Sequence, residues 1–141
     1  MQHMTTEEYR SFLLDRPRTG KLATVRQDGR PHVVPIWFDL DGDTLVFTTW
    51  HTSVKVANMQ HDPRVAICVD EETPPFDFVL IEGVATITDD AQMLRHWATR
   101  IASRYMGIEQ AEAYGKRNSV AGELLVRVKP AKVVAQKKIA E

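Results

Sequence analysis

The sequence predicts a mainly β (α+β) fold with about six strands, one main helix and short flanking helices. The first observation is a series of short runs rich in Val, Ile, Leu and Thr, separated by Asp-Gly turn signals. The second is one longer segment whose apolar residues stand three or four positions apart, as on one face of a helix. The chain has 141 residues, so we expect a single domain over residues 1–141.

The first half of the chain predicts a short helix followed by an antiparallel meander. Thr5 and Glu8 have the spacing of a capping box, and Pro17 ends the helix because the residue before a proline avoids helical backbone angles. Three β-prone runs follow, and Gly29 and Gly42 belong to the turns between them. The predicted strands cover residues 22–25, 31–38 and 44–49, and residues 39–43 are predicted as a turn.

The second half of the chain predicts strands that alternate with helices. Helical spacing indicates a short helix over residues 51–60, and Asp89-Asp90 can cap the main helix, which Gly107 ends. Gly83 lies inside a long β-prone run and indicates a bulge or a sharp bend. The remaining predicted strands cover residues 64–70, 76–88 and 123–128; residues 109–114 add a turn or two of helix, and residues 132–135 can continue the last strand beyond Pro130.

Strands joined by tight turns must bury one face of their sheet. Closure of about six strands into a small barrel removes the exposed edges, and an open sheet packed by the main helix fits the same pattern. The apolar runs are only a few residues long, whereas a membrane-spanning helix needs about 20. Thr6, Glu7 and Glu8 stand where a signal sequence would carry its apolar core. We therefore predict a cytoplasmic protein without a membrane partner.

Composition and residue spacing argue against several classes of function. Lys and Arg total 18 against 19 for Asp and Glu, a net charge of -1, whereas domains that bind nucleic acid are usually strongly basic. The five histidines lack metal-ligand spacing, and Cys68 is the only cysteine, so we predict no metal site. The sequence contains neither a nucleophile elbow nor a glycine-rich phosphate loop.

The segment from Thr48 to Lys55 indicates an anion-binding site. A strand ends in Thr48 and Thr49, the chain turns, and a short helix begins near Ser53. Helix N-termini bind anions because their first N–H groups are free, and the three hydroxyls and the Lys55 ammonium would complete a phosphate cradle. The alternative is that Thr52 or Ser53 only caps the helix and that Lys55 is a solvated surface charge.

The second candidate segment is Pro35-Ile36-Trp37-Phe38, at the end of a predicted strand. A proline in a strand is confined to an edge or a bulge, which leaves neighbouring backbone groups free to bind a planar heterocycle. Successive strand residues face opposite ways, so we expect one of Trp37 and Phe38 to pack in the core.

The order and spacing of several motifs resemble the pyridoxamine-phosphate-oxidase-like family. The motifs are Gly20-Lys21-Leu22-Ala23-Thr24-Val25, Asp28-Gly29-Arg30-Pro31-His32-Val33-Val34-Pro35-Ile36-Trp37-Phe38, Gly42-Asp43-Thr44-Leu45, Ser53-x-Lys55-x-x-Asn58, Asp62-Pro63-Arg64-Val65 and Glu82-Gly83-x-Ala85. The resemblance covers residues 12–88, returns at residues 124–134 and is strongest to the branch that uses the deazaflavin coenzyme F-420, with FMN-dependent proteins as close relatives. It implies a six-stranded antiparallel split β-barrel of the FMN-binding type.

The family resemblance implies a homodimer with two cofactor sites at the subunit interface. The residues it places around the cofactor phosphate are Thr48, Thr49, Ser53 and Lys55, with Asn58 supporting the phosphate end. The residues it places against the tricyclic ring are Pro35, Ile36 and Trp37, with Phe76 of the partner chain covering the ring.

Two departures from the family pattern refine the expected activity. Many relatives carry an arginine beside the phosphate-binding lysine, and Ser53 stands near that place here. True pyridoxamine phosphate oxidases carry an Arg-x-His motif near the C-terminus, and no histidine follows His96. The resemblance therefore implies an oxidoreductase that transfers a hydride between coenzyme F-420 and a small electron-poor organic substrate. The alternatives are an FMN-binding oxidoreductase of the same fold and a non-catalytic binder of flavin or haem; no catalytic residue is assigned.

Overall fold

An antiparallel sheet of eight strands dominates the computed structural model, which describes residues 2–141. The strands are β1 (Gln2–His3), β2 (Gly20–Val25), β3 (Pro31–Ile36), β4 (Asp39–Asp41), β5 (Thr44–Trp50), β6 (Arg64–Asp70), β7 (Phe78–Thr88) and β8 (Glu123–Lys137). The helices are α1 (Thr6–Asp15), α2 (Val54–His61), α3 (Ala91–Met106) and α4 (Ala111–Arg117), and a short 3-10 turn covers Ile108–Gln110. The prediction of a mainly β fold with one main helix is confirmed.

The sheet is open, which corrects the prediction of six strands closed into a barrel. Its strand order is β3-β2-β6-β7-β8-β5-β4, with β1 added to β8, and all of these pairs are antiparallel. The outer strands β3 and β4 follow each other in sequence but do not pair with each other. The count rises because residues 2–3 pair with β8 and because residues 39–41, predicted as a turn, pair with β5.

Strand β8 is one long strand through Pro130 rather than two shorter segments. Gly83 of β7 pairs with Pro130, and the adjacent Glu82 pairs with Lys132, so the register shifts by one residue at this point. The bulge that Gly83 predicts is therefore confirmed. A proline is tolerated there because the ladder is already interrupted and one missing backbone N–H costs little.

The helix boundaries follow the capping residues that the sequence predicts. The Thr5 side chain accepts a hydrogen bond from the Glu8 N–H, and the Glu8 carboxylate accepts one from the Thr5 N–H, which completes the capping box. Asp90 caps α3 by accepting from the Met93 N–H at 2.9 Å. Gly107 ends this helix with φ +90°, a region that side chains disfavour. No helix within residues 2–141 is long and apolar enough to cross a membrane.

The hydrophobic core lies on the inner face of the sheet and positions the candidate site at its rim. Fully buried side chains from five strands, from α1 and from the connection between β3 and β4 fill it: Leu13, Leu22, Phe38, Leu45, Phe47, Ile67, Val69, Val79, Val126 and Val128. A second cluster packs Leu94 and Trp97 of α3 on Val46 and Leu125. Helix α3 is thereby held beside the end of β5, and α2 follows directly from that end.

Candidate functional site

A cleft of about 330 Å³ opens beside α3, where the ends of β3 and β5 meet the start of β8. Its lining consists of Pro35, Ile36, Trp37, Thr48, Thr49, Trp50, Lys55, Ala98, Ile101, Asn118 and Glu123. The lining includes six of the nine residues that the sequence nominates, from two segments that are separate in the chain. The two nominated segments therefore share one cleft; we call the part lined by Thr48, Thr49 and Lys55 its polar end and the part lined by Pro35, Ile36 and Trp37 its apolar end.

The polar end of the cleft lies at the N-terminus of α2. Ser53 occupies the N-cap position, but its side chain makes no capping hydrogen bond. Its hydroxyl instead lies 3.2 Å from the Thr49 hydroxyl, within hydrogen-bonding distance. The first N–H groups of α2 consequently receive no side-chain cap, and they carry the partial positive charge of a helix N-terminus. This part of the cleft is suited to an anion.

Lys55 and Glu123 place opposite charges in the same cleft. Burial lowers the pKa of Lys55, and the nearby Glu123 opposes this shift. Burial also raises the pKa of Glu123, against the effects of Arg117 and Lys55. Within residues 2–141, neither side chain forms a hydrogen bond or an ion pair within 4 Å. Lys21 and Asp70, by contrast, form an ion pair at 2.7 Å. Both groups are thus available to a ligand.

Trp37 forms the aromatic wall at the apolar end. Its ring stacks on Tyr105 at 5.0 Å between centroids and 4° between planes. The Tyr105 hydroxyl donates to the Arg18 carbonyl at 2.7 Å and accepts from the Phe38 N–H at 3.2 Å, which fixes the stack. Trp37 is 38% exposed and Phe38 is fully buried, so the expectation that one of the two packs in the core is confirmed.

Trp50 lines the cleft from β5, and its position depends on a glycine. Gly122 has φ +101°, and a Cβ atom there would lie 2.5 Å from the Trp50 ring. The backbone at Gly122 also accepts a hydrogen bond from the His51 N–H at 2.9 Å. The indole is 45% exposed and rests in the space that the missing side chain leaves.

Three nominated residues do not line the cleft: Ser53 stands beside it at the N-cap of α2, and Asn58 and Phe76 lie elsewhere. Asn58 is 6% exposed, and its side-chain amide donates to the Thr24 hydroxyl at 3.0 Å, which ties α2 to β2. Phe76 is exposed and lines a different hollow together with Cys68 and Asp70. Support of the phosphate end by Asn58 and coverage of a partner's cofactor by Phe76 both stay predictions.

Sequence reasoning missed five residues of the cleft: Trp50, Ala98, Ile101, Asn118 and Glu123. Trp50 directly follows the nominated threonines, and its place at the end of a strand was a usable signal. Glu123 reaches the cleft because it pairs with Trp50 across β5 and β8. Local spacing does not reveal that register, nor the docking of α3 that brings Ala98 and Ile101 to the site. Within residues 2–141, no group of three His, Cys, Asp or Glu side chains could hold a metal ion.

Comparison with known proteins gives a family match over nearly the whole chain. The family model described as "Pyridoxamine 5'-phosphate oxidase" matches residues 5–137. The structure of a conserved hypothetical protein, Rv2991, from Mycobacterium tuberculosis is similar at a TM-score of 0.84 and 26% identity, over 96% of this chain and 86% of that chain. An F-420 reductase is similar at a TM-score of 0.70 and 30% identity, over 87% and 94%. The heme storage protein HutZ from Vibrio cholerae shares the fold at a TM-score of 0.72 and 20% identity, over 94% and 96%.

Proposed function

The chain belongs to the pyridoxamine 5'-phosphate oxidase family, and from this premise we propose that it is an oxidoreductase that transfers a hydride between the deazaflavin coenzyme F-420 and a small electron-poor organic substrate. The observation that carries the proposal is the single cleft that Lys55 and the threonines of β5 line together with Pro35, Ile36 and Trp37. The likeness to an F-420 reductase at 30% identity supports the choice of coenzyme.

The polar end of the cleft fits the phosphate of such a coenzyme. Thr48 and Thr49 supply hydroxyls, and Lys55 supplies a positive charge that has no partner within residues 2–141. Ser53 orients the Thr49 hydroxyl across 3.2 Å. The uncapped N–H groups of α2 add donors that fit phosphate oxygens. These groups bind and orient the coenzyme and take no part in its redox chemistry.

The apolar end of the cleft fits a flat ring system. Pro35 is exposed at the edge strand β3, where backbone groups face no further strand. Ile36 and Trp37 continue this wall, and Tyr105 behind Trp37 keeps the indole in one orientation. When bound, the deazaflavin supplies the hydride chemistry, and the protein supplies position and excludes water. No side chain is assigned as the proton donor.

An FMN-dependent oxidoreductase is the second candidate. Ser53 stands where many relatives carry an arginine, so Lys55 alone supplies positive charge to the cradle. A single positive charge fits a singly charged phosphate diester as well as a phosphate monoester. A non-catalytic binder of flavin or haem is the third candidate, because no general acid is assigned. A true pyridoxamine phosphate oxidase is not proposed, since no histidine follows His96.

We also propose that the chain forms a homodimer through the outer face of the sheet. A hollow of about 470 Å³ on this face is lined mainly by apolar residues of β2, β6 and β7. Val84 lines this hollow and is 46% exposed. Val33, which pairs with Ala23 of the lining, is 61% exposed. A second copy would cover this apolar surface. Analytical ultracentrifugation should show a dimer for the wild type and a monomer for Val84→Glu, whereas Leu14→Glu, at an exposed position of α1 outside this hollow, should remain dimeric.

The experiment that tests the proposed function is a fluorescence titration of wild type, Lys55→Ala and Lys116→Ala with coenzyme F-420 and with FMN. Lys116 is an exposed residue of α4 and serves as the matched control. We expect F-420 to bind the wild type and Lys116→Ala equally, and Lys55→Ala to bind at least about tenfold more weakly, a loss of about 1.4 kcal/mol. Binding should also raise the melting temperature of the wild type by mass action.

Turnover decides between an enzyme and a binder. Reduced F-420 is mixed with the protein and a panel of enones and quinones, and its reoxidation is followed by absorbance. Steady turnover above one equivalent supports the oxidoreductase and excludes a non-catalytic binder. Tight binding of FMN alone would replace the proposed coenzyme, and binding of neither compound would refute the proposed function.

A further inference from the structure

Glu123 is an unusual component of a cleft that is suited to anions. It pairs with Trp50 across β5 and β8, and its N–H donates to the Val120 carbonyl at 3.0 Å, so its backbone is fixed. Its side chain lines the same cleft as Lys55. Neither side chain is neutralised by an ion pair within 4 Å in the described part of the chain. A carboxylate therefore faces the space that a phosphate would enter.

An anion bound at Lys55 would meet the negative charge of Glu123 in a half-enclosed space. Like charges at close range raise the free energy of the ionised pair, and protonation of the carboxyl group relieves that repulsion. Resting on the anion site of the proposed function, we propose that Glu123 couples anion binding at Lys55 to protonation of its own carboxyl group. The cleft therefore binds phosphate-bearing ligands more tightly as the pH falls.

Other charged groups near Glu123 also influence its protonation, so the experiment must control for them. Arg117 at the end of α4 and Lys55 in α2 both favour its ionised form. The residues that α3 contributes to the cleft, Ala98 and Ile101, carry no charge. His51 lies next to Gly122 in the turn after β5, so a variant without this imidazole is needed as a control. Phosphate monoesters titrate near pH 6 themselves, so a probe whose charge stays constant is needed.

Sulfate is the probe, because its charge does not change between about pH 5 and about pH 8. The titration follows the backbone N–H resonances of Lys55 and its helix neighbours by NMR at constant ionic strength. We expect the Kd of the wild type to rise about tenfold over this range, the equivalent of one pKa unit of coupling. Glu123→Gln should bind about tenfold more tightly than the wild type at the upper pH, with a nearly constant Kd. Glu109→Gln, at an exposed position, and His51→Gln should keep the pH dependence of the wild type.

A second measurement reads the proton directly. Carbon NMR of the Glu123 carboxyl group gives its pKa with and without saturating sulfate. Sulfate should raise this pKa by about one unit, and Lys55→Ala should raise it without any ligand because the favourable positive charge is lost. Identical Glu123 pKa values in all three samples, or weaker sulfate binding by Glu123→Gln, would overturn the inference. So would the absence of any sulfate effect on the Lys55 resonances at about pH 5.

The inference and the proposed function fail separately. If sulfate binding is linked to Glu123 but neither F-420 nor FMN binds, the coenzyme assignment is wrong and the proton-linked anion site stands. If F-420 binds with Lys55 dependence but Glu123→Gln changes neither the Kd nor its pH dependence, the function stands and the role of Glu123 is refuted.

Discussion

Gly122→Ala should displace Trp50 from the wall of the cleft and destabilise the fold. Two costs add. The first is backbone strain, because Gly122 has φ +101°, and a non-glycine residue in such a region costs about 1–3 kcal/mol. The second is steric, because the new Cβ would lie 2.5 Å and 2.7 Å from two atoms of the Trp50 ring. Contacts this short require the indole to move.

The magnitude of the steric cost follows from the burial of the ring. Trp50 is 45% exposed, so full expulsion would expose about half of an indole side chain, on the order of 100 Å². At about 25 cal/mol/Å² this costs at most about 2–3 kcal/mol, and partial rotation costs less. We therefore expect Gly122→Ala to lower the free energy of unfolding by about 2–5 kcal/mol in total.

The assay is urea denaturation, followed by circular dichroism and tryptophan fluorescence, with Gly29→Ala as the control. Gly29 has φ +89° and nothing within 4 Å of its Cβ position, so this variant carries only the backbone cost. In a Trp50→Ala background, the cost of Gly122→Ala should fall to that of Gly29→Ala, because the obstructing ring is gone. Equal losses for both glycine variants in the wild-type background would refute the steric argument.

Three further predictions concern stability. Gly83→Ala should lower the free energy of unfolding by about 2–4 kcal/mol, measured by urea denaturation. The new Cβ would lie 2.4 Å from the Lys129 carbonyl oxygen, which the β7–β8 ladder holds in place. A loss below that range would mean that the bulge can relax. Phe38→Ala should cost about 3–5 kcal/mol, since the ring is fully buried, and a smaller loss would show that the core collapses into the cavity. The hydrogen bond from Arg18 lowers the pKa of Glu71 from 4.5 to about 2, so the ionised carboxylate stabilises the fold above its unfolded pKa, and this stabilisation is lost as the pH falls from 4.5 toward 2. Over this window the melting temperature of Glu71→Gln should therefore vary less than that of the wild type. Parallel profiles of the two proteins would contradict the assignment.

Much of the fold could be predicted from local signals. Strand β6 has the predicted bounds, and Asp90, Gly107 and Gly83 act as the cap, the helix end and the bulge that their types indicate. Each of these features depends on neighbours in the sequence. Strand β4 was missed because Asp39 and Gly42 are typical of a turn, whereas tertiary contacts decide the outcome. The buried Asp39 carboxylate lies 3.4 Å from Arg100 of α3, and no local pattern contains that partner.

Some residues of the candidate site could likewise be predicted from local sequence, whereas others depend on tertiary structure. Thr48, Thr49 and Lys55 are close in sequence, so their spacing alone placed them at one helix N-terminus. Pro35–Trp37 could be joined to them only through the family resemblance. Glu123 was out of reach because its place depends on the pairing register of β5 with β8. Sequence thus predicted the positively charged side chain of the cleft and missed the negatively charged one.

The position of β8 has a consequence for the order in which the protein folds during synthesis. Among the described residues 2–141, strand β5 pairs only with β4 and β8, and β8 also pairs with β7. The ribosome makes β6, β7 and both α3 and α4 before β8 emerges. Until then the nascent chain can form β3-β2-β6-β7 and a separate β4-β5 hairpin, each with an unpaired edge. We therefore expect β8 to join these two parts slowly and late in folding. Until then, the open strand edges must be protected from aggregation while translation continues.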